Sequence, residues 1–167
     1  AKGDGYERVM EYQSKVDAVV CSGGDGTLDE VVSALMACGS AVPVGYIPAG
    51  STNDFASSLS IPKDMVKAAE AVARGALYRC DVGRFNAGTF VYIAAFGLFT
   101  DVAYETNQNL KNILGHVAYI LEGAKRLLDI RSYHCEISAE GRILEGDFIY
   151  GMITNSRSVG GFKHLTG

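Results

Sequence analysis

No two cysteines of this 167-residue sequence stand close enough to share a local site: Cys21, Cys38, Cys80 and Cys135 are widely separated, with no C-x-x-C pair among them. That spacing suggests neither zinc nor a dense disulfide framework, and leaves buried reduced thiols of a cytosolic protein as the plainer reading. A clustered basic face is missing too. With a net charge of -4 and a pI near 5.3, the composition argues against a nucleic-acid footprint and against purely electrostatic attachment to anionic lipid. No basic stretch followed by an apolar one opens the sequence, and the longest nearly apolar run, Thr89 to Phe99, is too short to span a bilayer. Neither a cleaved export signal nor a membrane span is expected. His116, His134 and His164 are isolated from any Cys, Asp or Glu pattern, so surface or helix-end roles are expected of them. There is no internal repeat and no low-complexity tract. What is present suffices for a packed core, since 48% of the residues are hydrophobic.

The stretch that organises the chain is Ser22-Gly23-Gly24-Asp25-Gly26-Thr27. Before it, Val16 to Cys21 is β-branched and apolar and reads as a fully buried strand. After it, Leu28, Val31, Val32, Leu35 and Met36 lie on one face of a helix that Gly39 would close. The loop therefore sits at the carboxyl end of a strand, where open parallel sheets bind ligands, and its glycines let backbone N–H groups close on a phosphate. A carboxylate there would repel a bare phosphate, so Asp25 makes sense if Mg²⁺ mediates between them. Other phosphate loops fit worse. A dinucleotide fingerprint would need glycine where Asp29 stands, and no Gly-Lys-Ser/Thr loop exists. The plain alternative is that the glycines serve only a tight turn.

Tyr6, Val9 and Met10 give a short helical face before the first strand. Ala41 to Ile47 reads as a second buried strand, and it ends in Pro48-Ala49-Gly50-Ser51-Thr52-Asn53-Asp54-Phe55-Ala56, again with glycine, hydroxyls and a carboxylate. Two loops on consecutive βα connections of a parallel sheet lie at the same edge and could share one ligand. Asp54 could equally cap a short helix from Phe55 to Leu59, and Asp25 could brace its turn. A helix with Met65, Ala68, Ala69 and Val72 inward follows Pro62 and stops at Gly75, then a strand from Leu77 to Val82. Beyond that the pattern turns antiparallel: a hairpin around Asn86-Ala87-Gly88, β-rich sequence to Phe96, alternation at Tyr133, Cys135 and Ile137, a turn at Glu140-Gly141 and a strand from Phe148 to Ile153. One helix, Gly115 to Leu128, is inserted, and Asn155 to Gly161 reads as a loop. A domain boundary is expected near Cys80 to Gly83, separating residues 1–80 from 81–167.

Gly23-Gly24-Asp25-Gly26-Thr27, followed after a helix and a strand by Pro48-x-Gly50-Ser51-x-Asn53-Asp54-Phe55-Ala56, resembles the diacylglycerol kinase catalytic domain family, which includes bacterial lipid kinases and sphingosine kinases. The resemblance continues through Asp81-Val82-Gly83, Phe96-Gly97 and Leu114-Gly115-x-x-x-Tyr119. It implies an α/β fold, a Rossmann-like parallel-sheet domain that binds ATP, followed by part of a β-sandwich domain that binds lipid. It further implies that Gly23, Gly24, Asp25, Gly26, Thr27, Gly50 and Ser51 hold ATP phosphates, that Asn53 and Asp54 face the substrate, and that Asp25, Asp54 and Asp81 organise Mg²⁺, directly or through water, in catalysis. Ser51 stands where many members have Thr, and Asp29 where Asn is frequent. The family's opening strand with its Asn-Pro loop, and the later portion that supplies an acidic general base, are not in this sequence. A piece of a longer protein with little activity of its own is expected, with an exposed strand edge that would promote pairing of two chains.

The implied reaction is ATP-dependent transfer of the γ-phosphoryl group to a lipid hydroxyl, with diacylglycerol as first-choice acceptor and phosphatidic acid as product, by a cytoplasmic enzyme working at the inner membrane face. Gly-Gly-Asp-Gly loops also resemble those of NAD kinases and phosphofructokinases, but Asn53-Asp54-Phe55-Ala56 matches the lipid-kinase pattern. A non-catalytic nucleotide-binding regulatory module is the alternative of a different class.

Overall fold

The computed structural model describes residues 3–75, 77–86, 88–97, 131–139, 141–155, 158–159 and 162–163. The helix expected from Gly115 to Leu128 lies outside them. Two compact units form, Ala1–Ala94 with Thr154–Gly167 and Ala95–Ile153.

The first unit is built on a parallel pair, β1 (Val19–Gly23) and β2 (Val44–Pro48), in the register Val19↔Val44 to Gly23↔Pro48. Pro43 sets where the ladder starts. Its carbonyl accepts from the Val19 N–H at 2.9 Å, but it has no N–H to give, so pairing begins at Val44 and not at the expected Ala41. Helix α1 (Asp4–Tyr12) precedes β1, and α2 (Asp25–Cys38) joins the two strands. Leu28, Val31 and Leu35 are buried as their spacing predicts, together with Cys21 and Tyr46 from the sheet. Met36, expected on that face, is exposed. Helix α1 lies on α2, with Val9 buried and the Gly3 N–H donating to Glu30 Oε1 at 3.0 Å. Helix α4 (Met65–Arg74) covers β2 from the opposite side, where its Val72 packs on Gly45. Helices therefore cover both faces of a parallel sheet, which is the layering of an α/β fold. The covering is uneven, because Val20 is 57% exposed. β1 is thus buried on one face only, against the fully buried strand expected.

Gly39 and Gly75 close α2 and α4 with positive φ, as expected, and Asp64 caps α4 by accepting from the Lys67 N–H at 2.9 Å. The strand expected from Leu77 to Val82 does not form. A strand needs a neighbour to exchange hydrogen bonds with, and none of the described residues pairs with this run, so Leu77 and Tyr78 lie open to solvent. The hairpin does form, as β3 (Gly83–Phe85) and β4 (Gly88–Phe90), with Asn86 at φ 54° in its two-residue turn.

β5 (Ile93–Gly97) leads into the second unit and pairs there with β8 (Tyr150–Thr154). β6 (Tyr133–Ala139) and β7 (Arg142–Phe148) form an antiparallel hairpin around Gly141. The single strand expected from Phe148 to Ile153 is thus divided at Ile149. His134 is not isolated. Across this hairpin its Nδ1 lies 3.0 Å from Asp147 Oδ1 and its Nε2 3.4 Å from Glu145 Oε1, a pairing that only the strand register reveals. Nor is the segment after Asn155 wholly a loop, because β9 (Ser158–Val159) and β10 (Phe162–Lys163) pair within it.

Candidate active site

The parallel register brings the two expected loops to one sheet edge, since Gly23 and Pro48 are the last residues paired. From there the loops close on each other, with the Ala49 N–H donating to the Gly23 carbonyl at 2.8 Å. Gly50 then passes so near Gly24 that a Cβ on Gly50 would sit 2.5 Å from the Gly24 Cα. Any side chain at position 50 would hold the loops apart.

Asp25, the first residue of α2, reaches across this contact. Its Oδ2 accepts from the Asp54 N–H at 2.9 Å and its Oδ1 from the Phe55 N–H at 3.1 Å. These are orphan donors at the start of the short helix α3 (Asp54–Ser58), so one loop caps the helix of the other. Burial pushes the Asp25 carboxyl above its ordinary value, the two N–H donors pull it down, and nearby Asp54 pushes it up again. Asn53, not Asp54, takes the cap position of α3, at φ 55°. Its side chain accepts from the Gly50 N–H at 2.9 Å and donates to the Gly50 carbonyl at 2.7 Å. Asp54 is 3% exposed, an unusual degree of burial for a carboxylate.

Tyr46 was not singled out by the sequence. Its hydroxyl donates to the Gly23 carbonyl at 3.2 Å and lies 3.5 Å from Asn53 Oδ1, so one side chain touches both loops. The available signal was a tyrosine two residues from the end of a strand whose ring must be inward, because a buried tyrosine hydroxyl needs a partner. Thr27 leans over Gly23, with its N–H donating to the Gly24 carbonyl at 3.1 Å. Gly26, Thr27, Gly50 and Ser51 are exposed. Beside the second loop lies a pocket of about 260 Å³, lined by residues 48–53 with Ala56, Ser57, Ile61 and Lys63.

Asp29, one turn along α2, also does more than adjust a helix start. Its Oδ1 accepts from the backbone N–H of Val91 at 2.8 Å. Burial raises its carboxyl to about 6; the Val91 N–H opposes that rise and the charge of Asp25 adds to it. Asp81 is exposed in the connection that fails to become a strand. Among the described residues it is its carbonyl that is held, accepting from Asn155 Nδ2 at 2.6 Å. Among the described residues, no three His, Cys, Asp or Glu side chains gather in a way that could hold a metal ion. Asp25, Asp54 and Asp81 therefore do not form a ready three-carboxylate cage, and both Asp25 oxygens already serve backbone donors.

What this edge offers is a pair of touching glycine loops, locked by Asp25, Asn53 and Tyr46, beside the N-terminus of a 14-residue helix. Residues 1–85 match the family model of the diacylglycerol kinase catalytic domain. The chain belongs to that family. It is 39% identical to the diacylglycerol kinase of Bacillus subtilis over 150 residues, covering 89% of this chain and 50% of the relative. Against a Klebsiella pneumoniae protein named "Probable lipid kinase YegS-like" it is 37% identical over 166 residues, covering 98% and 56%. The crystal structure of a diacylglycerol kinase from Bacillus anthracis superposes with a TM-score of 0.72 at 25% identity, covering 98% of this chain and 53% of that one. The chain spans about half the length of the curated relatives it matches. The family and α/β fold expected from the paired motifs are those found.

Proposed function

We propose that the two loops form the ATP-phosphate site of a lipid kinase, with transfer of the γ-phosphoryl group to a lipid hydroxyl, diacylglycerol first. The observation that carries this is the contact of the loops at the end of a parallel strand pair. It leaves the exposed residues Gly26, Thr27, Gly50 and Ser51 on one edge, beside the positive end of α2. Phosphoryl transfer asks a protein chiefly for positioning and for stabilisation of spreading negative charge. Here the positioning is done by the cross-braces. Asp25 holds α3, Asn53 holds the Gly50 turn, and the Tyr46 hydroxyl touches both loops, so the loops keep their places before a ligand arrives.

On this reading Mg²⁺ would neutralise nucleotide phosphates at the site. Asp25, Asp54 and Asp81 would face it through water, because the described carboxylates supply no direct cage. Asn53 and Asp54, at the start of α3, would border the acceptor. Residues 1–80 would then carry the nucleotide, and the lipid-binding part would lie within 81–167, in the second compact unit from Ala95 to Ile153. No helix among the described residues is long and apolar enough to cross a membrane; the acceptor would be met at the inner membrane surface.

The test is transfer of labelled phosphate from ATP by the full-length parent protein to diacylglycerol, a sphingoid base, phosphatidylglycerol and NAD. A labelled phosphatidic acid supports the proposal. Labelled NADP with no labelled lipid would replace it with the NAD-kinase reading, and ATP binding without any transfer would favour a regulatory module.

A further inference from the structure

Helix α2 carries Asp25, Asp29 and Ser33 at i, i+4 and i+8, on one stripe that flanks its apolar face. Each is tied to a distant segment. Asp25 holds the start of α3, Asp29 holds the Val91 N–H at 2.8 Å, and Ser33 Oγ lies 2.5 Å from Thr89 Oγ1. Val91 is 1% exposed, and its carbonyl accepts from Asn155 Nδ2 at 3.2 Å. The same amide group reaches the Asp81 carbonyl, and the Asn155 N–H donates to the Tyr92 carbonyl at 2.8 Å. The chain leaves the first unit after Ala94 and re-enters it at Thr154. Val91 and Asn155 thus stand on the first-unit side of the two passages, and both are fixed to one knot that Asp29 fastens to α2.

We propose that Asp29 and Asn155 are positioning residues, a clasp that anchors both passages to the helix whose first residue braces the phosphate loops. Its kinetic consequence rests on the lipid-kinase reading. The nucleotide loops keep their own braces, Asp25, Asn53 and Tyr46, so loosening the clasp leaves ATP binding intact. What it loosens is the start and the return of the chain between Ala94 and Thr154, which on that reading takes part in binding the acceptor. Only one oxygen of Asp29 is used on Val91, and an asparagine oxygen can accept the same bond.

The test compares Asp29→Ala, Asp29→Asn and Asn155→Ala in the full-length parent protein. Two readouts are taken: amide hydrogen exchange at Val91, and kinetics with ATP and lipid varied separately. Asp29→Ala should speed exchange at Val91 about tenfold or more while leaving Asp54 and Phe55 protected, because only the first of these amides loses its acceptor. Turnover at saturating lipid should fall about tenfold in Asp29→Ala and Asn155→Ala with KM for ATP within about twofold, and Asp29→Asn should restore it. Unchanged exchange at Val91 in Asp29→Ala would overturn the clasp. So would a loss of ATP affinity equal to the loss of turnover, since that marks general loosening. If the unsubstituted protein phosphorylates no lipid, the functional reading fails, and the exchange experiment still decides the clasp by itself.

Discussion

Replacing Asp25 by Asn changes one oxygen to an NH₂ group and removes one charge, and the geometry says what this should cost. Both oxygens are used, at 2.9 Å by the Asp54 N–H and at 3.1 Å by the Phe55 N–H. Hydrogen bonds to a charged group contribute about 1.5–3 kcal/mol each, and a buried donor left without an acceptor costs about 1–3 kcal/mol. Asn retains one acceptor, now neutral, and turns a donor towards a donor at the other. Against this stands relief of burying a carboxylate whose protonation is favoured by its surroundings. The net loss should be about 2 kcal/mol. With a urea m-value of about 2 kcal/mol/M, that is a fall of about 1 M in unfolding midpoint.

Asp25→Ala gives the control, because it deletes both acceptors without adding a donor. A carboxylate that only faced phosphate and Mg²⁺ would leave stability alone in both variants, while one that caps α3 must move both, Ala at least as far as Asn, which keeps one acceptor. Hydrogen exchange at Asp54 and Phe55 locates the effect. Midpoints within about 0.2 M of the unsubstituted protein, with those two amides still protected, would refute the bracing role. Turnover is informative only alongside stability, since displacement of α3 would slow the proposed transfer even if Asp25 never faced the metal. A requirement for more Mg²⁺ in a variant that remains fully folded would separate the two roles.

Gly50→Ala should push the loops apart and abolish nucleotide binding, which calorimetric titration with an ATP analogue checks, whereas Gly26→Ala, with nothing within 4 Å of its new Cβ, should fold as well as or better than the parent by up to about 1 kcal/mol, which urea unfolding checks. Asp29→Asn should stabilise the protein only above acid pH. The folded carboxyl sits near 6 against an ordinary 3.8, so ionisation weakens the fold progressively as pH rises from about 4 to about 6 and no further beyond. At 1.36 kcal/mol per pH unit the ceiling is about 3 kcal/mol, and solvent over a half-buried group reduces it to the order of 1–2 kcal/mol; urea unfolding at pH 4 and pH 7.5 should show no difference and that difference. His134, hydrogen-bonded to Asp147 and then Glu145, should titrate above 6.5. Its support of the β6–β7 hairpin is complete below 6.5 and lost as pH rises through the higher folded value, and an NMR titration of Asp147→Asn should move down towards the ordinary range, with Glu145 keeping part of the rise.

The parts of this fold legible in the sequence are those set by short periods. Leu28, Val31 and Leu35 announce α2 because a helix repeats its face within a few residues, and the Asn86 turn announces its hairpin for a similarly local reason. The loops could be placed at one edge because parallel pairing forces it. Where the reading failed, the deciding partner was remote. Leu77 to Val82 has strand composition but no neighbour among the described residues, and composition cannot supply one. The register that sets His134 against Asp147 is likewise a pairing and not a pattern.

The stripe Asp25-Asp29-Ser33 shows the same limit from the other side. Beside an apolar face, polar residues at helical spacing read as solvated, and nothing local marks them otherwise. Their partners lie 29, 62 and 56 positions away. Three of the four bonds are made to backbone N–H groups, so the partners' identities carry no signal either. What the geometry adds is a distinction that residue type alone could not make. At position 29 a single oxygen accepts a single N–H, and Asn, frequent there in the resembling family, meets the need without a buried charge. At position 25 two oxygens accept two N–H groups, and only a carboxylate can do so. The same Asp→Asn change should therefore strengthen the protein at one turn of α2 and weaken it at the turn before, at pH 7.5 and in the same denaturation assay. Equal effects of like sign at the two positions would show that charge, and not the count of accepting oxygens, governs this helix.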